Sequence, residues 1–408
     1  MTTSIKPEAA RPRTYTILAL ALLIRVLVLW FAVARFPHAW LFTRGIELGI
    51  LAQSLLSGRG LSSPFGGSTG PTALLAPAYP AFIALVFRIF GSFTLASAIT
   101  IMAAQLLFNL LTVLAMMHIA QRCFSHREAN VAGTFWAVSL PLIWMPTIFW
   151  ETCLSTLLLT GMVALSLHFE QGTRSVLWLA MGGYCGVAAL VNPALLLPML
   201  GMMAWVIWQA RPCLPHRPLL GLLALVMVFA PWPIRNALAL HAFIPLRSTV
   251  AFELWMGNRP GANGFLDETA FPLFNRREFS RYADLGEVRY MEAKSALART
   301  YIEAHPAAFV RLSAVRFLRF WSGTGTEGGS AWFALHALLT TSLGAAGILR
   351  LWRRRRFSLA ALFILPLLLF PLPYYVTHAE FRYRLVPDPL LTILAAFAVT
   401  DFFSRAAR

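Results

Sequence analysis

The sequence predicts an all-α polytopic membrane protein, a bundle of about ten transmembrane helices. Of 408 residues, 58% are hydrophobic and only 12% charged, with a mean hydropathy of +0.66. A soluble domain does not sustain those values. Apolar runs of spanning length recur from one end of the chain to the other. The Lys and Arg residues cluster in short connections between these runs, the positive-inside pattern of cytoplasmic loops. The net charge of +17 therefore reports membrane topology, and it excludes a nucleic-acid partner. Four cysteines, Cys123, Cys153, Cys185 and Cys213, lie within or at the ends of apolar runs. Their spacing predicts neither a disulfide framework nor a zinc site.

Lys6, Arg11 and Arg13 precede the first run, and about 22 mostly apolar residues suffice to cross a hydrocarbon core of about 30 Å. No small-residue cleavage site follows, so this segment reads as the first helix. Spans are expected at 14–36, 94–120, 129–148, 153–169, 175–191, 194–210, 218–235, 330–350, 357–376 and 388–404. One further run, 73–90, is interrupted by Pro71, Pro77 and Pro80 and carries Arg88. Counted as a crossing, it would put the Arg122–Arg127 and Arg211–Arg217 turns outside and reverse the charge rule. It is read instead as a re-entrant or surface-lying helix. Lys6–Arg13, Arg122–Arg127, Arg174, Arg211–Arg217, Arg350–Arg356 and Arg405–Arg408 then all fall on the cytoplasmic side, with both termini.

On this reading residues 1–408 form a single transmembrane module with two large exported loops, 37–93 and 236–329, and a shorter turn at 377–387. The first loop holds a glycine-rich segment, Arg44 to Pro80, and a short helix is expected from Ile46 to Leu56, with juxtamembrane helices on the outer surface. The period places Glu47, Leu51 and Ser54 on one side and Ile46, Ile50, Gln53 and Ser57 on another. The second loop opens at Pro231–Asn236, passes turn signals at Gly257, Asn258, Pro260 and Gly264, and becomes helical from about Glu287 to Ala304. His305 and Pro306 end that helix. An amphipathic stretch, Ala307 to Trp321, puts Arg311, Arg316 and Arg319 on one broad face suited to the outer leaflet. Neither a solenoid repeat nor inverted hydropathy symmetry is present, which argues against a transporter.

Acids at membrane boundaries are costly and therefore informative. Glu47 reads either as a helix N-terminal charge favoured by the macrodipole or as a catalytic base. Glu151, in the turn FWETC, carries the same two readings at the start of the fourth span. His378, Glu380, Arg382, Tyr383 and Arg384 form a third cluster, in THAEFRYRLVPDP. Two arginines two residues apart suit phosphate recognition, while Tyr and Arg at headgroup level are equally an interfacial anchor. His378 and Glu380 match no strong metal motif, so no cofactor is assigned, and a divalent metal is possible without support. Arg25 lies mid-span, where a charge costs roughly 2.5–3.5 kcal/mol on insertion scales. It is expected to face the bundle interior and pair there.

The order of these features resembles the GT-C membrane glycosyltransferases of family 39, the protein O-mannosyltransferase and aminoarabinose-transferase type. The resemblance is carried by ExxxxAxSLLxGxG (Glu47 to Gly60), APAYP (Ala76 to Pro80), RIFG (Arg88 to Gly91), PW-x-IRN (Pro231 to Asn236) and FRYRLVP (Phe381 to Pro387). It runs over nearly the whole chain, and the shared order of the motifs is more specific than any one of them. The resemblance implies a GT-C-type bundle and transfer of a sugar from a polyprenyl phosphate to an acceptor on the exported side. Glu47 would then be the acceptor's base. The commonest family pattern differs here, with Asp a few residues earlier, near Arg44 or Gly45, and an aromatic residue where Leu48 stands. The chain also ends at its tenth span, without the soluble exported domain some members append.

The expected function is thus an integral glycosyltransferase of the cell inner membrane, its site facing the periplasm. Glu47 and Glu151 are the catalytic candidates. Charge develops on the leaving phosphate, so arginines should surround it, and Arg382, Arg384, Arg235 and Arg316 are the candidates. Tyr79, Asn258, His378, Glu380 and Tyr383 complete the site set. The expected partners are the lipid-linked sugar, the bilayer and an acceptor the sequence does not name. A lipid-linked sugar flippase and a catalytically inactive homologue are the alternatives.

Overall fold

A computed structural model describes residues 13–43, 45–169, 174–210, 216–324 and 331–406. Lys6, Arg11, Arg44, Arg211, Cys213 and Arg408, which figure in the sequence reading, lie outside these ranges. Among the described residues the chain is helical throughout, with no β-strand and one isolated bridge between Ser62 and Pro71. Six stretches are long and apolar enough to cross a membrane: Thr14–Arg35, Leu95–Cys123, His216–Leu240, Ala331–Arg353, Phe357–Val376 and Asp388–Ala406. The protein is a multi-pass membrane protein. The other four expected spans are shorter or bent helices.

The helices in order are α1 (Thr14–Arg35), α2 (His38–Thr43), α3 (Ile46–Leu56), α4 (Ala78–Phe90) and α5 (Leu95–Cys123). They continue with α6 (His126–Val138), α7 (Leu140–Trp144), α8 (Thr152–Ser166), α9 (Ser175–Val191) and α10 (Leu196–Gln209). Next come α11 (His216–Phe229), α12 (Pro231–Leu240), α13 (Val250–Asn258), α14 (Arg276–Ala304) and α15 (Pro306–Ser322). The last five are α16 (Ala331–Arg353), α17 (Phe357–Leu369), α18 (Leu372–Val376), α19 (Phe381–Leu385) and α20 (Asp388–Ala406). Polar caps start several of them. Ser125 accepts from the Arg127 amide at 3.1 Å and donates its hydroxyl to Glu128, a serine N-cap for α6.

The expected continuous span 129–148 is broken between α6 and α7, and the cause is local. Pro141 and Pro146 have no amide hydrogen to give, so the Ala137 and Leu142 carbonyls lose their helical partners, and the end of α6 leaves Trp136 beside them. Arg25 of α1, fully buried, supplies the missing donors. Its guanidinium donates to the carbonyls of Trp136 at 3.0 Å, Ala137 at 3.2 Å and Leu142 at 3.3 Å. The mid-span charge thus pairs inside the bundle, and its partner is broken backbone. The chain then turns through 118° between Leu140–Thr147 and Thr152–Ser166.

Two apolar cores organise the molecule. One lies among α1, α5, α6, α8, α9, α10, α16, α17 and α20, the membrane bundle. The other gathers α2, α3, α4, α13 and α14 with the 57–77 loop, so both large loops fold together as one platform. The run 73–90 appears there as α4, whose 13 residues reach about 20 Å at 1.5 Å per residue. That is short of the hydrocarbon core. In α3, Glu47, Leu51 and Ser54 are buried and Gln53 is exposed, the face division expected.

Three boundaries differ from expectation. PWPIRN is helical as α12, with Pro231 at its first position, so the second loop begins only after Leu240. A helical segment from Arg276 precedes Glu287 and joins it across a kink at Gly286, φ +72°. Its polar sequence, RREFSRYADL, hides the few inward residues, Phe279 and Tyr282, that hold it down. In α15, Arg311 is exposed while Arg316 is fully buried, so the arginines do not share one face. Five residues at 100° per residue turn Arg316 well away from Arg311.

Inside the bundle α9 crosses α11 with almost no gap. A Cβ on Gly182 would overlap the Gly221 carbonyl, whereas one on Gly183 would meet nothing within 4 Å. Gly182→Val is therefore expected to destabilise by about 1–3 kcal/mol, as overpacking does. The thermal midpoint of the purified protein should fall in Gly182→Val and stay unchanged in Gly183→Val. Equal midpoints would show the crossing to be looser than described.

Candidate active site

The candidate residues converge where the platform meets the outer ends of the bundle helices. Glu47 projects from the inward face of α3 and is 8% exposed. Burial pushes its carboxyl above the usual carboxylate range, and the charges of Arg382 and Arg247 work against that push. A hydrogen bond from its own backbone amide also works against the push, without cancelling it. A carboxylate of raised basicity is equipped to accept a proton.

The turn between α18 and α20 forms the other half. Arg382 donates to Glu380, and its Nη2 donates to the Tyr383 hydroxyl at 3.0 Å. The guanidinium lies 4.2 Å from the centre of the Trp150 ring and 4.7 Å from that of Tyr383, held between two aromatic faces. His378 Nε2 stands 3.0 Å from the Tyr383 hydroxyl and 3.5 Å from Glu380. Burial acts to raise the Glu380 carboxyl, but Arg382 foremost and then His378 outweigh it and hold it at about 2. Glu380 in turn keeps Arg382 firmly charged against the burial that opposes it.

Glu151 precedes α8 at the cap position without capping it, since no hydrogen bond runs from the α8 amides to its side chain. Its charge is felt at both Tyr79 and Arg382, so it belongs to the cluster. Tyr79 is buried with its hydroxyl unpartnered among the described residues. Glu47, Glu151, Glu380, Arg382, Tyr383, His378 and Tyr79 are thus brought into one neighbourhood. No group of three or more His, Cys, Asp or Glu side chains among the described residues is arranged to hold a metal ion.

The remaining candidates go elsewhere. Arg235 donates to the carbonyls of Thr72 at 2.6 Å and Leu61 at 2.7 Å, pinning the first loop. Arg316 donates to Gly257, to Asn258 Oδ1 at 3.1 Å and to the Tyr375 and Val376 carbonyls at 3.3 Å. Asn258 shares that clamp through its own bond to the Val376 carbonyl at 2.9 Å. Arg384 pairs with Asp388 at 2.6 Å and donates to Thr340 at 2.8 Å. These three guanidiniums face protein groups alone, whereas Arg382, though paired with Glu380 and Tyr383, also lines an open space.

That space is a groove of about 690 Å³ running from the outer ends of α1 and α7 to Glu380 and Arg382. Its walls carry Phe36, Trp40, Trp144, Trp150, Trp332 and Phe333. Sequence reading passed over Trp150 and Arg247. Trp150 sits beside Glu151 in FWETC, and Arg247 is the sole Lys or Arg between His241 and Asn258. An isolated charge in an apolar stretch was the available signal.

The fold has solved counterparts. The oligosaccharyltransferase of Archaeoglobus fulgidus in its apo form superposes over 96% of this chain and 51% of its own, with a TM-score of 0.57 at 14% identity. The chain shares the fold of that oligosaccharyltransferase. AglB from the same organism, in complex with an inhibitory peptide and a dolichol-phosphate, matches at a TM-score of 0.57 and 13% identity, over 96% of this chain and 50% of that one. The chain thus spans about half the length of these two structures. ArnT from Cupriavidus metallidurans bound to undecaprenyl phosphate is a more distant match, with a TM-score of 0.42 and 15% identity over 96% of this chain and 79% of its own. Residues 74–234 match the family described as dolichyl-phosphate-mannose-protein mannosyltransferase. No curated protein matches the sequence.

The Glu380 carboxyl, ordinarily near 4.5, is held at about 2. A depressed carboxylate stabilises the fold above its unfolded value, and that contribution disappears as pH falls through the folded one. Glu380→Gln should therefore lower the thermal midpoint most above pH 4.5. The gap to wild type should close as the pH approaches 2, and a gap independent of pH would contradict the assignment.

Proposed function

We propose that the protein is an integral-membrane glycosyltransferase that moves a sugar from a polyprenyl phosphate to an acceptor at the exported surface of the cell inner membrane. The observation that carries this reading is a buried acid of raised basicity, Glu47, within the field of a charged arginine, Arg382, that lines the end of an aromatic-walled groove. A lipid donor requires such a groove, because the chain stays in the bilayer while the phosphate reaches the polar cluster. The likeness of fold to AglB, solved with a dolichol-phosphate, supports the same donor class.

In the proposed reaction Glu47 takes the proton from the acceptor's hydroxyl or amine as that atom bonds to the sugar's anomeric carbon. The bond between that carbon and the phosphate oxygen breaks, and polyprenyl phosphate departs with the electron pair. Arg382 meets the charge that grows on the leaving phosphate. Glu380 keeps Arg382 charged and Trp150 fixes its plane. Both termini lie in the cytoplasm and the chain crosses the membrane ten times, the shorter helices α8, α9 and α10 included, which keeps the basic turns on the inner side.

Incubating purified protein with radiolabelled polyprenyl-phosphate sugars tests the reading. A transferase releases free polyprenyl phosphate, while a flippase or an inactive homologue does not. Glu47→Gln should cut turnover by about 10²- to 10⁴-fold and leave donor binding intact. Because burial raises the Glu47 carboxyl and the base must be ionised, the acid limb of the rate profile should lie above pH 4.5, the ordinary value. Wild-type turnover in Glu47→Gln would remove Glu47 as the base.

A further inference from the structure

Behind the groove lies a buried polar chain that the proposed reaction does not use. The Ser139 hydroxyl is 2.7 Å from His336 Nδ1. His336 Nε2 contacts Asp388 Oδ2, and Asp388 Oδ1 accepts from Arg384 Nη1 at 2.6 Å. Arg384 Nη2 continues to Thr340 at 2.8 Å and Thr341 at 3.2 Å. His336, Asp388, Arg384 and Thr340 are each no more than 4% exposed. As an ionised carboxylate Asp388 can only accept, so the His336 proton on Nε2 is donated to it and Nδ1 is left to accept from Ser139. Every link then has a donor and an acceptor.

The placement of its members gives this chain a role. Ser139 stands at the break between α6 and α7, directly before Leu140, Pro141 and Trp144, which form one groove wall. His336 lies one turn beyond Trp332 and Phe333, the second wall. Arg384 and Asp388 bracket the end of the third wall, which includes Phe381 and Arg382. Three walls from distant parts of the sequence meet at one knot. Little else of polar character joins them, because α7 packs on α16 through apolar side chains and the Phe333 and Phe381 rings stack at 4.5 Å. Apolar contacts slide, whereas a directional hydrogen-bond chain fixes register.

We infer that Ser139, His336, Asp388 and Arg384 are positioning residues that set the width of the lipid groove and the placement of Arg382 at its end, an inference that rests on the reading of the groove as a polyprenyl-phosphate site. None of the four touches the reacting atoms. A serine, histidine and aspartate in line resemble a hydrolytic triad, but here the aspartate is neutralised by Arg384 and the serine adjoins a broken helix whose carbonyls are held by Arg25. The geometry points to a strut.

Ser139→Ala removes one link and adds no bulk, so the protein should fold. His336→Gln puts a donor where Nε2 stands, keeps the bond to Asp388 and loses the one to Ser139. Ser139→Thr restores the hydroxyl in the extended backbone Ser139 adopts. In full-length protein in lipid nanodiscs, hydrogen exchange of the 139–150 and 377–388 segments should quicken in Ser139→Ala and His336→Gln and return to wild type in Ser139→Thr. The Kd for polyprenyl phosphate should rise by about two- to tenfold in the first two, the scale of one lost hydrogen bond. KM for the lipid donor should rise with it while kcat holds, which a general loss of folding would not produce. Unchanged exchange in both variants, or faster exchange with an unchanged Kd, overturns the inference. Wild-type protein that binds no polyprenyl phosphate overturns the functional reading instead, and the exchange arm then decides by itself whether the strut joins the walls.

Discussion

Guanidinium groups filling the carbonyls of broken backbone are the interaction on which this structure depends. A membrane helix satisfies its own amides and carbonyls, and any interruption leaves groups that lipid cannot serve. This chain interrupts itself repeatedly at one end of the bundle, at Pro141, along the 57–77 loop and between α18 and α20. At each place an arginine is turned inward. Arg25 serves Trp136, Ala137 and Leu142, Arg235 serves Leu61 and Thr72, and Arg316 serves Gly257, Tyr375 and Val376. One planar cation with five donors suits several carbonyls at once, which the point charge of a lysine does not.

The same constraint explains how a site arises between two loops that are far apart in sequence. Arg235 from α12 and Arg247 from the second loop reach carbonyls of the first loop, and buried Glu287 accepts from the Thr72 hydroxyl, the Ala73 amide at 2.7 Å and the Tyr282 hydroxyl at 2.7 Å. These ties close the platform core around Tyr79, Tyr282 and Tyr290 and fix α3 against the outer ends of the bundle. Glu47 is thereby held opposite the 377–387 turn. The site is a by-product of satisfying backbone: once the other arginines are committed, Arg382 is left between Trp150 and Tyr383 with a groove before it.

Much of this was legible in sequence, and what was not has a physical cause. Composition and charge placement gave the class, and period gave α3 with its inward Glu47 face. The three prolines and short length of 73–90 marked a helix unlike the spans. The arginines were misjudged because a sequence shows a charge but not whether a carbonyl or a phosphate will meet it. Arg235, Arg316 and Arg384 were read as ligands for an anion, and each is satisfied by protein. The run 129–148 reads as a straight rod because one proline in an apolar run, Pro141, looks tolerable until the carbonyl it orphans is considered. The knot of Ser139, His336 and Asp388 was invisible, since its members lie 197 and 52 residues apart and none forms a local motif.

The off-register acid of the first loop follows from the backbone. The related pattern has its acid near position 44 or 45, where this chain has Gly45. Gly45 adopts φ +116°, and a Cβ there would lie 2.5 Å from the Phe149 carbonyl oxygen. No aspartate fits that conformation without moving the loop before α8, which carries Trp150 and Glu151 into the cluster. The close approach of Gly45 to Phe149 and an acid at 45 are therefore mutually exclusive. Two residues on, α3 turns its buried face toward Arg382, and a side chain one methylene longer than aspartate extends from there. The backbone thus bars an acid at 45, and the acid that the proposed reaction uses is the one that α3 presents at 47.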